Sequence, residues 1–328
     1  MVEPLTHRFI SVVCSLFLSV YSFAESIHEP LWVENLSPIA SLVALPSQRS
    51  ADVLEGLSVT LHSDVATHFV SQSSREDSVF FDGETQRHSV ALRWGVSPEW
   101  ELSTVIPFTK QSGGFTDGYV NRWHDFFGMS DGGRGEIPED QLSYQFSSPE
   151  LQKGLTDSSS GLSDVTFELA YVGERRRDLQ IAYAVGYKAS AGESSKWTGS
   201  GSSDLYGVAR FSGAHRSDLP LYWHGQFGVT AVGNSPLLGP QKENWIWFGG
   251  LSAEWLLNQR WALVGQIDSH SALLDSPLDA LGEPAAMLSL GLRRQLGRNW
   301  AVDISFVEDI VVESAPDIIF QASVHYRP

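Results

Sequence analysis

Acid–base chemistry would need a histidine beside a carboxylate, and divalent-cation binding would need clustered oxygen ligands. Both patterns occur together, between Gly113 and Glu136. His124 and Asp125 are adjacent and could form an acid/base pair. No serine nucleophile stands near them in sequence and Trp123 flanks them, so the residues favour a hydrogen-bonding role. Asp125, Asp131 and Glu136 could ligate a cation through oxygen, but their spacing is not that of an EF-hand loop, and no metal is assigned. Phe115, Asp117, Trp123, His124, Asp125, Asp131 and Arg134 are therefore read as capping or ligand-binding candidates of one long loop, with no catalytic residue among them. Phosphate-cradling glycine loops, dinucleotide fingerprints, zinc helices and nucleophile elbows are absent, so no cofactor is expected. Gly201-Ser202-Ser203-Asp204 reads as turn chemistry.

The elements that position this loop have a period of two. In the first, Leu57, Val59, Leu61, Val65 and Phe69 alternate with Ser58, Thr60, His62, Asp64 and His68. Alternation over ten or so residues predicts strands with one apolar and one polar face. About twelve such segments follow one another: 57–69, 85–95, 100–109, 163–172, 179–190, 204–212, 221–232, 245–255, 261–269, 286–294, 300–308 and 318–326. Their lengths suit tilted strands that cross a bilayer. If the apolar faces meet lipid, a lumen is lined by His62, Asp64, Arg87, Arg93, Glu101, Glu168, Arg210, His224, Glu254, Arg293 and Asp303, whose mixed signs predict ion pairs across a narrow interior.

The connections alternate between short and long. Short turns fall at 96–99, 173–178, 213–220, 256–260 and 295–299, and long loops at 70–84, 110–162, 191–203, 233–244 and 270–285. That alternation predicts periplasmic turns and outer loops of an outer-membrane barrel. Trp94, Trp100, Trp255, Trp261 and Trp300 flank short turns, where an interfacial girdle would lie. The predicted architecture is all-β: a transmembrane antiparallel up-and-down β-barrel of about twelve strands, with the loop 110–162 capping or entering it.

Composition agrees. Charged residues are 19%, aromatics 11%, and the net charge is -17, which excludes a nucleic-acid partner. Mean hydropathy is -0.11, so the chain is no bundle of apolar helices. Residues 1–24 resemble a signal peptide, with an apolar run from Phe9 to Tyr21 and a small-x-small site at Ser22-Phe23-Ala24. The one cysteine, Cys14, lies in that run. Residues 25–55 then form a periplasmic leader, broken by Pro30, Pro38 and Pro46, whose Leu31, Ile39, Leu42 and Val43 would seek burial, for instance in the periplasmic mouth. Residues 56–328 form the barrel.

The runs Gly113 to Gly118, Trp123 to Gly128 and Asp131 to Arg134 carry a resemblance, as do Trp32 to Pro38, Thr198 to Gly201, Glu308 to Ile310 and Ala315 to Asp317. Together they resemble an uncharacterised domain-of-unknown-function family of Gram-negative outer-membrane β-barrel proteins. The resemblance implies a fold and a location, and no activity. The expected function is a narrow or gated outer-membrane channel for a small solute. The rivals are a structural or partner-binding barrel and a barrel enzyme acting on lipid or lipopolysaccharide. The expected partners are outer-membrane lipid, lipopolysaccharide and, during biogenesis, the barrel assembly machinery.

Overall fold

A computed structural model describes residues 27–54, 56–120, 122, 137–176, 178–215, 220–311 and 314–328. The predicted signal peptide lies outside the described residues. Twelve strands close into a ring in which each pairs antiparallel with its neighbours: β1 (Gly56–Ser73), β2 (Ser78–Gly95), β3 (Trp100–Ser112), β7 (Val165–Arg175), β8 (Gln180–Ala189), β9 (Asp204–His215), β10 (Leu221–Ala231), β11 (Trp245–Leu256), β12 (Trp261–His270), β13 (Ala285–Gln295), β14 (Trp300–Asp309) and β15 (Ile318–Tyr326). Pairing of β1 with β15, from Val59 opposite Tyr326 to Thr67 opposite Ile318, closes the barrel and leaves no ring edge unpaired.

Each expected segment falls on one of these strands. The first two strands run further than their alternation suggests. β1 and β2 are 18 residues each, so the loop expected over 70–84 shrinks to 74–77. Within the ring, large apolar side chains point outward and stay exposed, among them Leu61, Phe167, Val185, Leu251 (69%) and Ile304 (65%). Near the short turns the exposed side chains include a set of aromatics. Trp94, Trp100, Trp255 and Trp300 stand there, with Trp100 against Tyr171 at 4.8 Å and Trp300 against Tyr326 at 4.7 Å. An apolar belt edged by aromatics is the surface that hydrocarbon and headgroups favour.

The described part of the long loop folds into three short strands at the other end. β4 (Ser143–Ser148) pairs with β2, β5 (Leu151–Leu155) with β4, and β6 (Ser159–Leu162) with β3. Tyr144 and Phe146 of β4 are buried in an apolar cluster with Phe81, Trp197, Leu238, Ile246, Leu274 and Leu281, so the outer loops close over that end of the barrel.

Residues 27–54 occupy the lumen. Where the sequence reading sets this leader at the periplasmic mouth, the structure carries it the length of the barrel and back. Ile27 starts beside Gln295, at the end of the short turns. The first arm climbs past Gln266 and His270. A single 3-10 turn over Ala40–Leu42 sits inside the outer apolar cluster. The second arm descends past Asp204, Asp268 and Ser212 to Glu101, and leads into β1. The apolar residues of the leader find their burial here. Leu31, Val33 and Leu36 pack on Ala66, Val264, Met287 and Ile319 of the wall, and Ala44 on Ala170, Tyr206 and Phe248.

Candidate functional site

The hairpin has no strand partners, so its backbone groups need donors and acceptors from the wall. Inward-facing side chains supply them. Gln266 grips Leu31 at both backbone groups, accepting from its N–H at 2.8 Å and donating to its carbonyl at 3.2 Å. Asp204 accepts from the N–H of Ala44 (2.9 Å), and the Thr230 hydroxyl donates to the carbonyl of the same residue (2.6 Å). Gln226 donates to the Pro46 carbonyl, Ser212 accepts from the Ala51 N–H, and Lys188 donates to the Leu42 carbonyl. Irregular backbone at membrane depth is tolerated where protein satisfies it in this way. Two wall glycines make room: a Cβ on Gly291 would lie 2.8 Å from the Leu31 side chain, and one on Gly250 would lie 2.3 Å from Gln48.

Ion pairs reinforce the attachment. Glu29 of the first arm accepts from Arg93 (2.8 Å) and Arg327 (3.2 Å), and Glu34 from Arg87 (2.8 Å). Arg49 of the second arm donates to Ser103 (2.7 Å) and Glu168 (3.2 Å). Burial pushes the Glu29 carboxyl up, but Arg93 and Arg327 outweigh it and hold the group well below the usual carboxylate range.

The eleven lumen candidates from the sequence all lie on inward faces, and most gather into connected groups. Arg93 bonds Glu101 (2.8 Å), while Arg210 grips Glu168 through two bonds of 2.7 Å, and Arg49 lies between the two groups. Arg293 forks onto Asp303 (2.8 and 2.7 Å) and reaches Glu254 (3.2 Å). His62 bonds Asp64 and Ser323, each at 2.7 Å, and stacks on Trp32 of the hairpin. Arg87 joins Glu34, and His224 bonds Ser212.

Of the seven loop candidates, Phe115 and Asp117 lie among the described residues. Phe115 is exposed, and Asp117 is buried and accepts from the Asp140 N–H (2.8 Å). Trp123, His124, Asp125, Asp131 and Arg134 lie outside the described residues. Among the described residues, no group of three His, Cys, Asp or Glu is placed to hold a metal ion.

Sequence reasoning missed Glu29, Glu34, Gln48 and Arg49 as site residues. The signals available were the inward glycines 250 and 291 on the strands, and the charges of a leader whose apolar residues need burial.

The chain matches the profile of DUF3187, proteins of unknown function, over residues 6–327. It belongs to that family. Among solved structures it is similar to an outer membrane channel from Pseudomonas putida F1 at 11% identity, covering 87% of this chain and 97% of that one with a TM-score of 0.54. It is also similar to the NanC porin at 8% identity, covering 83% and 100% with a TM-score of 0.47. No curated protein matches it. The first likeness shows a shared barrel fold. With the closed ring and its lipid-facing belt, it makes this DUF3187 chain an outer-membrane β-barrel.

Proposed function

We propose that the chain is a gated outer-membrane channel for a small solute, and that the hairpin of residues 27–54 is the gate. One observation carries this reading. The lumen is occupied by a segment that joins no strand ladder and is held by side-chain hydrogen bonds, ion pairs and apolar packing, with both of its ends at the short-turn mouth. Such a segment can loosen while every strand pair of the ring stays intact, because no ring ladder runs through it. The wall residues that bond the hairpin, among them Arg87, Arg93, Glu101, Glu168 and Arg293, are then the gate's contacts. Residues 1–24 act as the signal peptide that delivers the chain. The assembly machinery inserts the barrel, and lipopolysaccharide packs on the outer part of its belt.

The test is conductance in planar bilayers. Wild-type protein should show low conductance with brief openings. Arg49→Ala combined with Glu34→Gln should raise the open fraction severalfold, while the circular dichroism of the barrel stays unchanged. A folded variant that passes no more current than pure lipid would remove the channel reading and favour a structural or partner-binding barrel.

A further inference from the structure

The hairpin does not fill the lumen evenly. On the side of β1, β2, β3, β7 and β8 it leaves a cavity of about 120 Å³, with Glu29 and Arg93 toward the periplasmic end and Ser41 and Lys188 toward the outer end. We infer, on the basis of the channel reading, that this crescent is the solute path and that it takes small zwitterions carrying a carboxylate and an ammonium group.

The argument starts from the Glu34–Arg87 pair, which crosses from hairpin to wall at 2.8 Å with both side chains partly open to the cavity. A solute with one charge can satisfy one member of this pair and leaves the other without a counter-charge in a confined space, which is strongly disfavoured. A solute with both charges on a short frame can enter between them and replace one ion pair by two, with no change in net charge. The Glu29–Arg93 pair follows toward the short-turn end (2.8 Å), where Arg327 also bonds Glu29 and Glu101 also bonds Arg93, so the selective step is the Glu34–Arg87 pair. Trp32, Val105 and Pro107 line the space between. Trp32 offers a π surface to an alkylated ammonium, and the other two offer apolar contact to its methyl groups.

The test uses full-length protein in proteoliposomes and three permanently charged probes of similar size: glycine betaine, tetramethylammonium and ethanesulfonate. Betaine should leave the vesicles at least tenfold faster than either singly charged probe. Relative to betaine in the same variant, Arg87→Gln should speed tetramethylammonium and Glu34→Gln should speed ethanesulfonate, each severalfold, because each leaves one charge unopposed; a looser gate alone would speed all three probes together. Ala91 lines the same cavity, and the one native cysteine lies in the predicted signal peptide. An Ala91→Cys barrel can therefore be labelled after folding with a bulky thiol reagent, which should block betaine efflux. Efflux that ignores the label, or equal rates for the three probes, overturns this inference and leaves the channel standing. Absence of efflux for every probe, from wild type and from Arg49→Ala alike, removes both.

Discussion

Arg293 shows what a single residue does in this lumen. It is among the largest side chains with almost no exposure, at 1%. Its two bonds to Asp303 join β13 to β14, one bond reaches Glu254 on β11, and another reaches the Glu29 carbonyl at 2.7 Å. Removing it would leave two interior carboxylates whose remaining ion-pair partners among the described residues are His325 (3.0 Å from Asp303) and His28 (3.3 Å from Glu254). Loss of one partner of a buried pair costs about 3–5 kcal/mol, whereas a surface pair contributes at most ~1 kcal/mol. Arg293→Ala should therefore lower the unfolding free energy in detergent and urea by about 3–5 kcal/mol. Lys196→Ala, which breaks the largely exposed bond to Glu193 (2.8 Å), should change it by under ~1 kcal/mol. Equal effects of the two would contradict the buried network described above.

At the scale of elements, the hairpin's attachment is weakened by acid. Glu29 is pushed up by burial but held low by Arg93 and Arg327. Asp164, just before β7, is likewise raised by burial and lowered further by Lys188 and by the N–H groups of Ser200 and Gly192. A carboxyl depressed in the folded state stabilises it fully above the ordinary carboxylate value of roughly 4. That stabilisation is lost as pH falls below this value. Conductance should therefore rise as pH drops from about 5 to about 3, and Glu29→Gln should already be elevated at neutral pH and respond less to acid. A conductance that falls on acidification would contradict the tether. The strands were legible in the sequence because lipid on one face and water-like polarity on the other impose the alternation directly. The upper ends of β1 and β2 were not, because Val70 and Val79 turn into the outer apolar cluster and the alternation changes meaning there. The path of the hairpin was not legible either. Its prolines and apolar residues announce a need for burial, but the place is set by Gly250, Gln266 and Gly291, more than 200 residues away in sequence.

For the whole molecule, one condition governs the rest: the outer surface must prefer hydrocarbon, and that preference must vary with depth. Leu251 lies at the middle of β11, 69% exposed, and Trp255 lies near its short-turn end, 50% exposed. In a membrane an arginine on the lipid face costs about 2–4 kcal/mol at the midplane and ~0–1 kcal/mol near the interface. Leu251→Arg should therefore destabilise the barrel in lipid bilayers by about 2–4 kcal/mol and reduce its insertion, while Trp255→Arg loses mainly the packing of the indole. Ile304→Arg, at the middle of β14 and 65% exposed, should match Leu251→Arg, since the two positions share a depth on different strands. In water both positions would already face solvent, and neither arginine would cost more than a few tenths of a kcal/mol. A measured penalty that tracks distance from the strand centre thus distinguishes a lipid-facing ring from a barrel in aqueous surroundings, and a flat profile would contradict the placement of this chain in the outer membrane.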